Sequence, residues 1–262
     1  MEEGGGMKFL LLCIVFLWLP MTFADSFRLD GVVFHYRLPK KLADDSRMLV
    51  LFGGRNSSGF RTLRLFRFDD LADRHHLVLL SPSFNGNDYW EPGTGSGELL
   101  KRAIAFLEKK HHLPSKPVYL YGYSAGGQCA AHFAAWMPDR TAAWGAHGCG
   151  YYPDIPESSR CRPALITCGM EDSIRFVISR QFVYGYREKG TEVLWKPGGG
   201  GHEMDSLSLK LAETWFEALL NADTAKVYGE DDTKHIRQRA EDIQPMFRNP
   251  LANDRIKELW LE

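Results

Sequence analysis

Ser124 lies between two glycines in Gly122-Tyr123-Ser124-Ala125-Gly126, a spacing suited to a hydroxyl that acts as a nucleophile. The apolar run Val118-Tyr119-Leu120-Tyr121 before it fits a buried strand, and the Ala-rich stretch after it fits a helix. A strand that enters a helix through so tight a turn leaves no room for side chains two residues to either side of the serine, which accounts for both glycines. At such an apex the hydroxyl points off the sheet edge, and the helix N-terminus behind it favours developing negative charge. An ordinary strand-to-helix turn with a solvated serine could use the same five residues. The chemistry therefore depends on what else the chain supplies.

A serine hydroxyl is barely nucleophilic until a base accepts its proton. Of the nine histidines, His202 follows the strand expected over 192–196 through Pro197-Gly198-Gly199-Gly200-Gly201, a loop able to carry an imidazole over the sheet edge. Its structural alternative is a histidine that opens a helix and bonds a backbone carbonyl. His147, at a strand end beside Cys149, competes but reads better as a structural histidine. His75, His76, His111 and His112 fall at helix ends and junctions and read as surface residues. The imidazole in turn needs an acid to fix its tautomer. The strand 164–169 runs into Met170-Glu171-Asp172, one strand before the histidine, and Asp172 is the preferred acid, with Glu171 and Asp154 as alternatives. As a purely structural residue Asp172 would cap the helix that begins near Ser173. An oxyanion hole needs two backbone donors. One is the Ala125 N–H, and the other comes from Gly53-Gly54-Arg55 after the strand 48–52, with Gly54 and Arg55 both open as donor.

Serine, acid and histidine in that order on successive strand ends resemble the α/β-hydrolase superfamily, over roughly Phe27 to Leu220. Phe52-Gly53-Gly54-Arg55-Asn56 and the small size make the chain similar to exported esterases of the polyhydroxybutyrate-depolymerase and feruloyl-esterase kind. Those esterases often carry His-Gly where this chain has Phe52-Gly53. The resemblance implies a mostly parallel sheet with helices on both faces, a carboxylic ester substrate cleaved through an acyl-enzyme, and no cofactor or metal. The family often inserts a cap after the strand that follows the nucleophile helix. Only 151–162 is available for one here, too short for a helical lid, so an open site for a bulky or polymer-borne ester is expected; the loop positions of Tyr89, Trp90, Tyr123 and Tyr151 suit an aromatic wall, with packing as the alternative reading of each. A serine peptidase would use the same triad but should show a pocket or domain for a peptide terminus. A non-catalytic binding protein on the same scaffold would tolerate a broken triad, and transfer of the acyl group to another alcohol differs only in the acceptor.

The elements that must hold these residues follow from periodicity. A hairpin is expected around Asp30-Gly31, strands over 47–52, 76–80, 118–121, 142–148, 164–169 and 192–196, and helices over 60–75, 98–112, 125–137, 173–189 and 204–220. Strands alternating with helices predict an α/β fold with a mostly parallel sheet covered on both faces, whose sites lie at the carboxyl ends of the strands. With 262 residues, 44% hydrophobic and 25% charged, the chain has the composition of one globular domain, and its net charge of -1 gives no reason to expect nucleic acid or an anionic membrane as partner.

Residues 1–24 read as a signal peptide: a polar lead, an apolar run too short for a permanent membrane anchor, and Thr22-Phe23-Ala24 with small residues at the cleavage positions, so a secreted or periplasmic protein is expected. Cys13 would leave with it. Of Cys129, Cys149, Cys161 and Cys168, the pair Cys149–Cys161 flanks one short loop and is the expected disulfide, with four buried thiols as the alternative. No C-x-x-C or His-rich spacing points to a metal. The catalytic domain is expected over 25–221, followed by a charged, partly helical C-terminal extension over 222–262 whose Ile256, Leu259 and Trp260 are available to dock on it.

Overall fold

In the computed structural model, which describes residues 24–262, the chain opens with a hairpin of β1 (Asp25–Leu29) and β2 (Val32–Arg37). Its two turn residues, Asp30 and Gly31, both have positive φ (44° and 84°), the backbone that matches the twist of paired strands. Then follow β3 (Arg47–Phe52), α1 (Gly59–Phe66), α2 (Asp69–Arg74), β4 (Leu77–Pro82), α3 (Ser96–Lys110), β5 (Val118–Tyr123), α4 (Ala125–Trp136), β6 (Thr141–His147), β7 (Ala164–Gly169), α5 (Ser173–Glu188), β8 (Val193–Gly198) and α6 (Ser206–Leu220). The C-terminal segment adds β9 (Val227–Glu230), β10 (Ile236–Arg237), β11 (Arg248–Leu251) and α7 (Asp254–Leu261).

Eight strands form one sheet in the order β1-β2-β4-β3-β5-β6-β7-β8. β1 and β2 pair antiparallel, as do β2 and β4, and every pairing from β4 to β8 is parallel. Both faces are covered, by two separate apolar layers. One contains Leu100, Ile104, Phe133, Phe182 and Tyr186 from α3, α4 and α5; the other contains Leu63, Phe66, Leu71, Leu211 and Phe216 from α1, α2 and α6. Parallel strands buried on both faces explain the unbroken apolar runs of β3, β4 and β5. In register, Phe52 pairs with Gly122, Tyr123 with His147, His147 with Thr167 and Thr167 with Lys196. The carboxyl ends of β3, β5, β6, β7 and β8 therefore lie level, and the loops leaving them meet at one edge.

Two expectations change. The single helix over 60–75 is two helices, because Arg67 adopts a left-handed backbone (φ 54°) that lets both Phe66 and Phe68 enter the core, their rings stacked 5.9 Å apart. The C-terminal segment is not merely part-helical: β10-β9-β11 form a small antiparallel sheet, with α7 beside it. This segment covers the open edge of the main sheet. Trp195 on edge strand β8 donates its N–H to Asn249 Oδ1 (2.7 Å) and accepts from Trp260 Nε1 (2.8 Å), so both outward backbone groups of this residue are satisfied. Arg187 reaches across from α5 to the same Asn249 oxygen (2.7 Å) and to Asp231 (2.7 Å), an ion pair buried on both sides.

Candidate active site

Ser124 joins β5 to α4 with φ 57° and ψ -121°, a backbone that costs a non-glycine residue on the order of 1–3 kcal/mol. The packing around it explains why the strain persists. A Cβ on Gly122 would lie 1.9 Å from the Gly126 carbonyl oxygen, and one on Gly126 would lie 2.1 Å from that of Phe52, so β3, β5 and α4 touch through bare backbone. Ser124 N–H donates to the His147 carbonyl (2.9 Å), tying the apex to β6. The helix begins its hydrogen bonding only at Gln128 N–H, which donates to the Ser124 carbonyl (3.2 Å). The amides of Ala125, Gly126 and Gly127 thus have no partner within the helix.

His202 and Asp172 come to this apex. Ser124 Oγ is 2.8 Å from His202 Nε2, and His202 Nδ1 is 2.6 Å from Asp172 Oδ2. An ionised carboxylate only accepts, so Nδ1 carries the hydrogen and Nε2 is left to accept from the serine hydroxyl. Asp172 occupies the N-cap position of α5 without capping it; its side chain is buried and turned to His202 instead, while Glu171 and Asp154 are exposed. The Asp172 Oδ1 accepts from Arg175 Nη1 (3.0 Å). Neither loop is loose. Glu171 N–H donates to the Gly200 carbonyl (2.9 Å), and a Cβ on Gly169 would collide with the carbonyls of Gly200 and Gly201. The Tyr123 hydroxyl donates to the His202 carbonyl at 2.8 Å. His147 Nε2–H donates to the Glu203 carbonyl (2.7 Å), which leaves its Nδ1 to accept from Thr167 Oγ1 (2.7 Å), so His147 braces the histidine loop as a neutral ring.

No family model matches the chain. Among curated proteins it is similar to the bifunctional acetylxylan esterase/xylanase XynS20E of Neocallimastix patriciarum, at 26% identity over 112 residues, 42% of this chain and 17% of that protein. The chain therefore spans under a fifth of the length of that relative. Among solved structures it superposes on a thermostable esterase (TM-score 0.60, 17% identity, 76% of this chain and 62% of that one). It also superposes on the poly(3-hydroxybutyrate) depolymerase LpqC of Bordetella parapertussis (0.56, 19%, 76% and 93%) and on a ferulic acid esterase (0.59, 15%, 76% and 95%). The chain has the α/β-hydrolase fold.

In this α/β-hydrolase fold a cavity of about 330 Å³ opens over Ser124, lined among others by Arg55, Trp90, Gln128, Gly150, Ile174 and Arg175. Of the four aromatic residues expected to wall it, only Trp90 does. Tyr89 is buried in the core against Phe84 (ring centroids 5.9 Å), and burial pushes its hydroxyl up to about 12. Tyr123 lies against the His202 ring, outside the cavity lining, and half-exposed Tyr151 packs against the His132 ring, tilted, with centroids 4.7 Å apart. Alternation along the chain explains the first case: of the neighbours Tyr89 and Trp90 in one loop, one faces the core and the other the cavity. For the oxyanion donors, Gly54 lies close to the apex, since a Cβ there would stand 3.4 Å from the Tyr123 ring and 3.9 Å from Ser124 Cβ, and Ala125 and Arg55 both line the cavity. The side chains of Arg55, Gln128 and Arg175 were not singled out from sequence. Two carried a signal in spacing: Gln128 is one helical turn after Ser124, and Arg175 one turn after Asp172.

The expected Cys149–Cys161 disulfide is absent. All four described cysteines are free and buried: Cys149 Sγ turns to the Tyr151 carbonyl (3.2 Å), and Cys161 Sγ to that of Pro156 (3.6 Å). Burial pushes the thiols of Cys149 and Cys168 up to about 12, so they are packed as small apolar groups rather than poised to react. The signal-peptide reading falls on residues that lie, apart from Ala24, outside the described part of the chain.

Proposed function

We propose that the protein is a serine hydrolase of carboxylic esters, with Ser124 as nucleophile, His202 as general base and acid, and Asp172 as the residue that orients His202. The observation that carries this reading is the unbroken chain from Ser124 Oγ through His202 to Asp172, at 2.8 and 2.6 Å. Ser124 Oγ adds to the ester carbonyl as His202 Nε2 takes its proton, and the tetrahedral oxyanion is held by the Ala125 N–H and by the N–H of Gly54 or Arg55. Collapse breaks the ester C–O bond, His202 returns the proton to the departing alkoxide, and an acyl-enzyme remains. Water, deprotonated by His202, then adds to the acyl carbon, and expulsion of Ser124 Oγ with the returned proton regenerates the enzyme. Asp172 stays ionised throughout and stabilises the imidazolium.

The esterase names of the superposed structures and of the curated relative support an ester as substrate. Between β6 and β7 the chain forms only a loop with one short 3-10 turn (Ser158–Arg160), which favours a bulky or polymer-borne ester. Residues 1–24 are proposed to direct export, to the periplasm or outside the cell. The test is hydrolysis of a p-nitrophenyl ester series by the protein beside its Ser124→Ala and His202→Ala variants. Turnover that falls by about 10⁴-fold or more in both, with circular dichroism unchanged, establishes the triad. Full activity in either variant removes it.

A further inference from the structure

Two arginines line the cavity over Ser124, and among the described residues only one of them, Arg175, is paired with a carboxylate, that of Asp172. Among the described residues no Asp or Glu lines the cavity, whereas two arginines do, one from the β3 loop and one from α5. Arg55 Nη2 donates to the neutral Asn87 Oδ1 (2.9 Å), and among the described residues Arg55 takes part in no ion pair. Arg175 uses Nη1 on Asp172, whose other oxygen is taken by His202; its remaining N–H groups are left for a ligand. Gly150 makes room for it: a Cβ there would stand 3.2 Å from Arg175 Nε and 3.3 Å from its Cγ, so the missing side chain is the gap through which Arg175 crosses. Gln128 offers a further side-chain amide, and the N-terminus of the twelve-residue helix α4 adds its positive end at the same place. Trp90 and the exposed Ile174 supply the apolar part of the wall.

We propose that the ester hydrolysed here carries a carboxylate close to the scissile bond, bound by Arg55 and Arg175. This rests on the serine-hydrolase reading above. A guanidinium presents planar paired donors that fit a carboxylate, and two of them flanking a cavity give an anionic ester an advantage that a neutral one of the same shape lacks. The carboxylate can belong to the acyl group or to the alcohol, and separate substrates distinguish the two.

The experiment measures kcat/KM for matched pairs. The p-nitrophenyl monoester of adipic acid against p-nitrophenyl hexanoate tests an anionic acyl group. The acetyl ester of p-hydroxybenzoic acid against that of its methyl ester tests an anionic alcohol. The expected result is a preference of at least about tenfold for the anionic member of one pair, falling towards one in Arg55→Gln and weakening with added salt. Arg55→Gln is the deciding variant, because changing Arg175 also disturbs Asp172. Equal or better turnover of the neutral member in both pairs, or a preference that Arg55→Gln leaves intact, overturns the carboxylate while the esterase stands. Absence of turnover of every ester by folded protein overturns the esterase, and this inference with it.

Discussion

The ring of Tyr123 lies against that of His202, with centroids 5.3 Å apart and planes 27° from parallel, while its hydroxyl donates to the His202 backbone carbonyl at 2.8 Å. The residue next to the proposed nucleophile therefore holds both the base's ring and its backbone. Burial, and secondarily the charge of Asp172, push the Tyr123 hydroxyl up, so it remains a donor across the neutral range. Tyr123→Phe keeps the stacking and loses the hydrogen bond, and kcat is expected to fall several-fold, about 1 kcal/mol, with KM little changed. Steady-state kinetics on one chromogenic ester decide it; an unchanged kcat would show that the loop is held without this bond.

Ser124 occupies a backbone region that glycine tolerates and serine does not (φ 57°). Ser124→Gly should therefore inactivate the protein yet stabilise it by about 1 kcal/mol, or roughly 2–4 °C in Tm for a chain of this size, whereas Ser124→Ala gains nothing. Thermal unfolding of the three proteins side by side tests whether function maintains the strain. Equal Tm values for the glycine and alanine variants would argue that the turn stores none.

Burial holds the His147 imidazole below its ordinary pKa, with the Glu203 carbonyl acting in the opposite sense. The folded protein therefore favours the neutral ring, and between its lowered pKa and about 6.5 the unfolded chain binds more protons than the folded one. The stability that depends on this is present above about pH 6.5 and lost as pH falls through that window. His147→Gln should show a lower Tm at pH 8, because the brace on the histidine loop is weakened, and a shallower decline on acidification. A decline as steep as that of the parent would assign the acid sensitivity to other buried histidines such as His132.

Trp260 is wholly buried, bonds the β8 backbone through Nε1 and fills the space that glycine leaves at 229, where a Cβ would come within 2.6 Å of its ring. Trp260→Ala should cost about 3–5 kcal/mol and uncover the edge of the main sheet. Chemical denaturation and light scattering measure the two consequences. A loss below 1 kcal/mol would mean that the C-terminal segment is dispensable to the sheet.

The four described cysteines are buried thiols without a disulfide, so reductant should leave Tm unchanged and a thiol reagent should label none of the four until the protein unfolds. A Tm drop of several degrees with reductant would restore the Cys149–Cys161 bridge.

Much of this protein is determined locally and is legible in its sequence. The elbow is a matter of residue size over five positions, because only hydrogens fit where Gly122 and Gly126 meet backbone. The strand positions follow from apolar runs, and the order of Ser124, Asp172 and His202 follows from which strand each residue ends. The expected helix over 60–75 failed where one backbone angle at Arg67 served two aromatic rings, a choice that depends on the core they enter. Only the tertiary structure decided which loop side chains face the cavity, turning Trp90 towards it and Tyr89 away. It alone brought Arg55 and Arg175, 120 positions apart in number, to the same opening, and set the C-terminal strands against β8. Those placements depend on contacts between segments distant in the chain, and such contacts leave no period or motif in the residues that make them.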